Sequence, residues 1–89
     1  KGWTPLMHAA AEADEEMIQM LLSHSPDLLA KNKDGANVLH IAARRCPPST
    51  LEKLILSGAC VQTRDNKGRS PYDYAEEAFN EETAEFLRD

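Results

Sequence analysis

Gly35-Ala36-Asn37-Val38-Leu39-His40-Ile41-Ala42-Ala43 is the middle copy of a pattern that occurs three times. Gly2-Trp3-Thr4-Pro5-Leu6-Met7-His8-Ala9-Ala10 precedes it by 33 residues, and Gly68-Arg69-Ser70-Pro71-Tyr72-Asp73-Tyr74-Ala75-Glu76 follows it by 33. The register also holds further along. Met17-Ile18-Gln19-Met20-Leu21-Leu22 aligns with Thr50-Leu51-Glu52-Lys53-Leu54-Ile55 and with Thr83-Ala84-Glu85-Phe86-Leu87-Arg88. A fixed period of this length indicates stacked repeats of one supersecondary unit.

Each copy reads as the start of a helix. The glycine permits a turn at positive φ. Two residues on, Thr4, Asn37 or Ser70 can accept from a free N–H of the first helical turn. Pro5 and Pro71 then fall at the first helical position, where a missing N–H costs nothing. Small residues (Ala9-Ala10, Ala42-Ala43, Ala75) allow a neighbouring helix to approach. A second helix follows in each copy, with apolar residues at helical spacing: Met17, Ile18, Met20, Leu21; Leu51, Leu54, Ile55; Ala84, Phe86, Leu87. Ser25-Pro26 and Gly58-Ala59 mark the closing loops.

A helix–turn–helix unit of 33 residues carrying Thr4-Pro5-Leu6, Leu39-His40-Ile41-Ala42-Ala43, Ser57-Gly58-Ala59-Cys60-Val61 and Asp65-Asn66-Lys67-Gly68 resembles the ankyrin-repeat family over essentially the whole chain. The resemblance implies an all-α fold, an ankyrin-repeat solenoid of helix–turn–helix pairs joined by β-hairpin-like loops. Residues 1–89 are then one domain, with repeats at about 1–33, 34–66 and 67–89. The last repeat is expected to be a C-terminal cap, because Glu81, Glu82, Glu85, Arg88 and Asp89 give it a polar outer face. No such cap precedes the first repeat, and Leu6, Met17 and Met20 are expected to lack cover there. The chain also begins without Met. Both points suggest a piece of a longer array truncated at its N-terminus.

The copies depart from one another in ways that make predictions. The family's inter-helix loop usually carries glycine where this chain has Ala13, Cys46 and Phe79. Strain of about 1 kcal/mol or an altered loop is expected at each. Pro47-Pro48 is expected to delay the second helix of repeat two, with Ser49 as N-cap and Glu52 closing a capping box. His40 fills the family's histidine position, where the resemblance implies a hydrogen bond to the neighbouring turn. Met7 and Asp73 take that position in the other repeats.

Composition limits the function classes. A net charge of −5 opposes wholesale binding to nucleic acid or anionic membrane. Apolar runs such as Met20-Leu21-Leu22 are far short of the about 20 residues that span a bilayer. Phosphate loops, nucleophile elbows and zinc spacings do not occur, so catalytic residues, cofactors and metal ligands are all predicted to be none. His8 and His24 read as structural and surface residues. Paired acids such as Glu15-Glu16, Glu76-Glu77 and Glu81-Glu82 read as solvated faces; Glu15, Glu16, Glu81 and Glu82 also suit the helix N-termini where they fall. Cys46 and Cys60 read as reduced, partly buried thiols. With no apolar leader after Lys1, they give an intracellular expectation, cytoplasmic or nuclear.

The resemblance places partner binding on the concave side, formed by hairpin tips and outward positions of the first helices. Carried over residue by residue, that side holds Lys1, Trp3, Ala11, Glu12, Lys31, Lys33, Asp34, Ala36, Arg44, Arg45, Arg64, Asn66, Lys67, Arg69, Glu77 and Ala78. These include eight of the ten basic residues and three of the fifteen acids. The expected partner is therefore a protein, through an acidic or phosphorylated segment gripped by Lys1, Lys31, Lys33, Arg44, Arg45, Arg64, Lys67 and Arg69, with Trp3 as aromatic anchor. RNA or an oligonucleotide on the same face ranks behind it, given the negative net charge. A passive spacer is the third reading. The expected state is a monomeric, non-enzymatic scaffold or adaptor domain in a larger chain.

Overall fold

The computed structural model describes residues 2–24 and 26–88, which form six helices. They are α1 (Pro5–Ala11), α2 (Glu15–Leu22), α3 (Val38–Ala43), α4 (Pro48–Leu56), α5 (Pro71–Glu77) and α6 (Glu81–Leu87). The first helices of the pairs start at 5, 38 and 71, the second at 15, 48 and 81, so the 33-residue period survives intact in the backbone. None of these helices is long enough to be stable alone in water. They persist because α1, α3 and α5 pack in a row, with α3 buried at every residue. Met7, Ile18, Leu39, Leu51 and Leu54 fill the centre, and Ala10, Ala42, Ala43 and Ala75 permit the close approach.

The caps follow the sequence. Thr4 Oγ1 accepts from the Met7 N–H at 3.1 Å, Asn37 Oδ1 from His40 at 3.1 Å, and Ser70 Oγ from Asp73 at 3.3 Å. In α3 and α5 the bond is reciprocal: His40 Nδ1 accepts from the Asn37 N–H, and Asp73 Oδ2 from the Ser70 N–H.

Helix α4 corrects one expectation. It starts at Pro48, in register with α2 and α6, and Pro47 rather than Ser49 is the N-cap, without a side-chain bond. The two prolines assist this start. Pro48 forces extended backbone on Pro47 (ψ 165°), the geometry an N-cap needs, and itself supplies a preset φ at the first helical position. Leu6 is a second correction: it is buried in the core, and only Met17 and Met20 of the expected trio are exposed. The inter-helix loops divide as well. Ala13 (φ 55°) and Phe79 (φ 61°) take the left-handed conformation that normally favours glycine, whereas Cys46 does not. Cys46 is instead buried with its thiol donating to Ala10 O at 3.4 Å, while Cys60 is exposed.

Cross-ties between pairs are uneven. The second and third are joined by Asn80 Nδ2, donating to Ala43 O and Cys46 O at 3.0 Å each, and by Thr83 Oγ1, donating to Cys46 O at 2.7 Å. Between the first and second, the described residues give the weak Cys46 donor and a hydrogen bond from Thr50 to Glu15.

The hairpin-like tips repeat each other atom for atom. Asn32 Oδ1 accepts from the N–H groups of Asp34 and Ala36; Asp65 Oδ1 accepts from those of Lys67 and Arg69. Asn66 stitches one tip to the next, donating from its backbone to Asp34 O and from its side chain to Lys33 O, both at 2.9 Å. This contact separates two otherwise equivalent glycines. Gly35 and Gly68 share φ near +80°, but a Cβ on Gly35 would lie 2.8 Å from the Asn66 backbone nitrogen, while one on Gly68 meets nothing within 4 Å. Gly68→Ala is expected to cost about 1 kcal/mol from backbone strain alone. Gly35→Ala adds the steric clash and should cost about twice as much, as read by urea denaturation.

Candidate binding groove

The inner helix row and the tips enclose a groove of about 420 Å³. Trp3 enters it from the first pair, Asp34, Arg44 and Arg45 from the second, and Arg69 and Glu77 from the third. Its apolar lining comes from Ala11, Ala36, Ile41 and Tyr74. Each polar side chain is positioned by a turn or helix end. Arg44 is the C-cap of α3, so it and Arg45 leave the helix where the chain turns outward, and both are exposed.

Arg69 is held differently. Its Nε donates to Asp65 Oδ2 at 3.1 Å and its Nη1 to Glu77 Oε1 at 3.2 Å, while the guanidinium carbon lies 5.0 Å from the Tyr74 ring centroid. Asp65 is the hub beneath it. Besides the two backbone N–H groups, it accepts from Arg69 Nε and from the Tyr74 hydroxyl at 2.6 Å. Burial pushes its pKa upward, but the Tyr74 hydroxyl, the two N–H donors and Arg69 outweigh that and hold the carboxyl well below the usual range. Burial and the Asp65 contact raise Tyr74 to about 12, so the phenol stays a donor at neutral pH. His40 closes the network from α3. Its Nε2 donates to Arg69 O at 2.8 Å, since Nδ1 is already an acceptor, and its ring meets Tyr74 edge-on at 4.7 Å. The histidine therefore does bond to the neighbouring turn.

The structure brings Trp3, Arg44, Arg45 and Arg69 to one groove. Lys31, Lys33 and Lys67 are exposed but do not line it. Arg64 donates to Gly68 O at 3.1 Å and lines a separate depression with Val61, Ser70 and Leu87. Lys1 lies outside the described residues. Tyr74, Ile41 and Asn32 line the groove without having been singled out as binding residues. The pairing of Asn32 with Asp65 at one register was the available sign of the tip network. Among the described residues, Arg44 and Arg45 form no ion pair.

Cys46, the buried thiol, is pushed up to about 11 by burial and by the charge of Glu15. Among the described residues, no group of three or more His, Cys, Asp or Glu is placed to hold a metal ion. No helix there is long and apolar enough to cross a membrane.

A family model described as ankyrin repeats, in three copies, matches residues 1–65. Protein glp-1 of Caenorhabditis elegans is 32% identical over 88 residues, covering 99% of this chain and 7% of that protein. NF-kappa-B inhibitor delta of Mus musculus is 37% identical over 82 residues, covering 90% of this chain and 25% of that protein. Neurogenic locus notch homolog protein 1 of Mus musculus is 40% identical over 88 residues, covering 97% of this chain and 3% of that protein. The chain thus spans at most a quarter of the length of these relatives.

Proposed function

The chain belongs to the ankyrin-repeat family, and from that premise we propose that it binds an acidic or phosphorylated protein segment in the groove between Trp3 and Arg69. Ankyrin repeats are non-catalytic protein–protein interaction modules, so a surface carries the activity rather than a reaction centre. The observation supporting this groove is the pair of exposed guanidiniums on Arg44 and Arg45, without an ion pair among the described residues, lining the same groove as the one tryptophan of the chain. Arginines in this state suit carboxylate or phosphate by bidentate contact. The residues assigned to the concave side total eight bases against three acids in a chain of net charge −5, which favours steering an anionic partner to this side. Lys31, Lys33 and Lys67 contribute to steering from the rim. In this reading the domain acts as a monomeric scaffold or adaptor element of a larger intracellular protein.

The test uses charge reversal. Arg44→Glu/Arg45→Glu should weaken binding to pools of acidic and phosphorylated peptides by at least about tenfold, roughly 1.4 kcal/mol. Both positions are exposed, so helicity and melting should stay near wild type. Unchanged binding would remove the proposal. A steep salt dependence, with log K falling by several units per log unit of salt, would point to nucleic acid instead.

A further inference from the structure

The two carboxylates on Arg69 are unequally held. The Asp65 side chain is fully buried and anchored by the Lys67 and Arg69 N–H groups and the Tyr74 hydroxyl; it takes the guanidinium by Nε at 3.1 Å. Glu77, the last residue of α5, has a side chain 58% exposed and engages a single nitrogen, with Nη1 3.2 Å from Oε1 and 3.4 Å from Oε2. Among the described residues, Nη2 donates to none. Asp65 fixes Nε, and the Tyr74 ring centroid lies 5.0 Å from the guanidinium carbon, so the fork keeps one orientation whichever anion meets its terminal edge. Arg69 and Glu77 line the same groove as Arg44 and Arg45.

Resting on the binding role proposed above, we infer that Glu77 is a displaceable internal occupant of an anion seat on Arg69: a carboxylate or phosphate of the partner segment exchanges with Glu77 and takes Nη1 and Nη2 together, while Asp65 stays in place. The exchange is favoured by what each contact contributes. An exposed ion pair is weak, and the released Glu77 carboxylate returns to water. A bidentate contact across the fork is stronger than one through a single nitrogen. Asp65 is not exchanged in this way, because leaving it would strand a buried carboxylate and its donors. Glu77 also sets a threshold. A ligand offering one oxygen gains nothing over the glutamate already there, so the seat selects anions with two oxygens to present.

The experiment measures, by fluorescence anisotropy, binding of labelled Gly/Ser peptides carrying three glutamates or three phosphoserines to the wild-type chain and its variants. Glu77→Gln should tighten binding by about threefold, the size expected for releasing an exposed ion pair. A gain confined to the phosphoserine peptide assigns the seat to phosphate; a gain with both assigns it to either anion. Asp34→Asn removes the same charge from the same groove without an ion pair to Arg69, and should give a smaller gain. Arg69→Gln should erase the gain from Glu77→Gln. Arg69→Lys keeps a cation beside Asp65 and loses the fork; it should reduce the gain to the Asp34→Asn level, and it serves if the glutamine variant does not fold. The inference falls, while the binding role stands, if peptides bind through Arg44 and Arg45 but the Glu77→Gln gain is absent, equals that of Asp34→Asn, or survives in the Arg69 variants. If no anionic peptide binds, both fall.

Discussion

Asp65→Ala is expected to destabilise the domain by about 3 kcal/mol and to lower its melting temperature by more than about 10 °C. The carboxylate serves four donors at once: the Lys67 and Arg69 N–H groups, Arg69 Nε and the Tyr74 hydroxyl. Alanine leaves the buried Tyr74 hydroxyl without its acceptor and the tip without its internal brace, and unmade buried bonds cost more than made ones contribute. Asn32 supplies an internal control, because at the equivalent position an amide oxygen holds the same turn. Asp65→Asn should therefore keep the turn, lose the charge pairing with Arg69, and fall between wild type and alanine. Thermal and urea melts decide the matter; a loss under about 0.5 kcal/mol for alanine would show that the network does not bear on stability. The carboxyl also has a pH signature. Its folded pKa is depressed, so its contribution is complete above the unfolded value of about 4 and is lost as pH falls through the folded value.

His40 should produce a second, separate loss nearer neutrality. Its ring is fully buried, accepts at Nδ1 from the Asn37 N–H and donates at Nε2, so a proton on Nδ1 would break that hydrogen bond and turn to Asn37 Oδ1, 3.1 Å away, which already accepts from the His40 N–H. Burial lowers its pKa below 6.5, against the raising influence of Arg69 O and Asp65; Lys31 and the Arg69 guanidinium add to the lowering. The unfolded chain then takes up the proton first. Stability is complete above about pH 6.5 and falls as pH drops toward the folded value, with a limiting slope of about 1.4 kcal/mol per pH unit. Urea denaturation between pH 7.5 and 5 measures the slope. His40→Gln should flatten it even though the variant is less stable overall; an unchanged slope would assign the effect elsewhere.

The period, the caps at Thr4, Asn37 and Ser70, and all six helices were legible because each rests on local chemistry repeated three times. The start of α4 was misread because Pro47-Pro48 was weighed as an obstruction, although one proline prepares an N-cap and the next fills the first helical position. Leu6 was misplaced because sequence spacing identifies an apolar face without saying which neighbour covers it. The groove was half legible. Trp3, Arg44 and Arg45 follow from register, but a count of charges treats Arg69 as free, and only the folded chain places Asp65 and Glu77 against it. Tyr74 went unseen for the same reason: its role depends on an acid nine residues earlier in the chain.

The uneven cross-ties have a mechanical consequence. Repeat stacks lose structure by neighbours rather than all at once, and among the described residues the joint between the first and second helix pairs has fewer hydrogen-bonded ties than the one after it. Trp3 stands on one side of that seam, Arg44 and Arg45 on the other. A ligand that touches both acts as a staple across the less tied joint, so its binding free energy becomes resistance to separation of the two pairs.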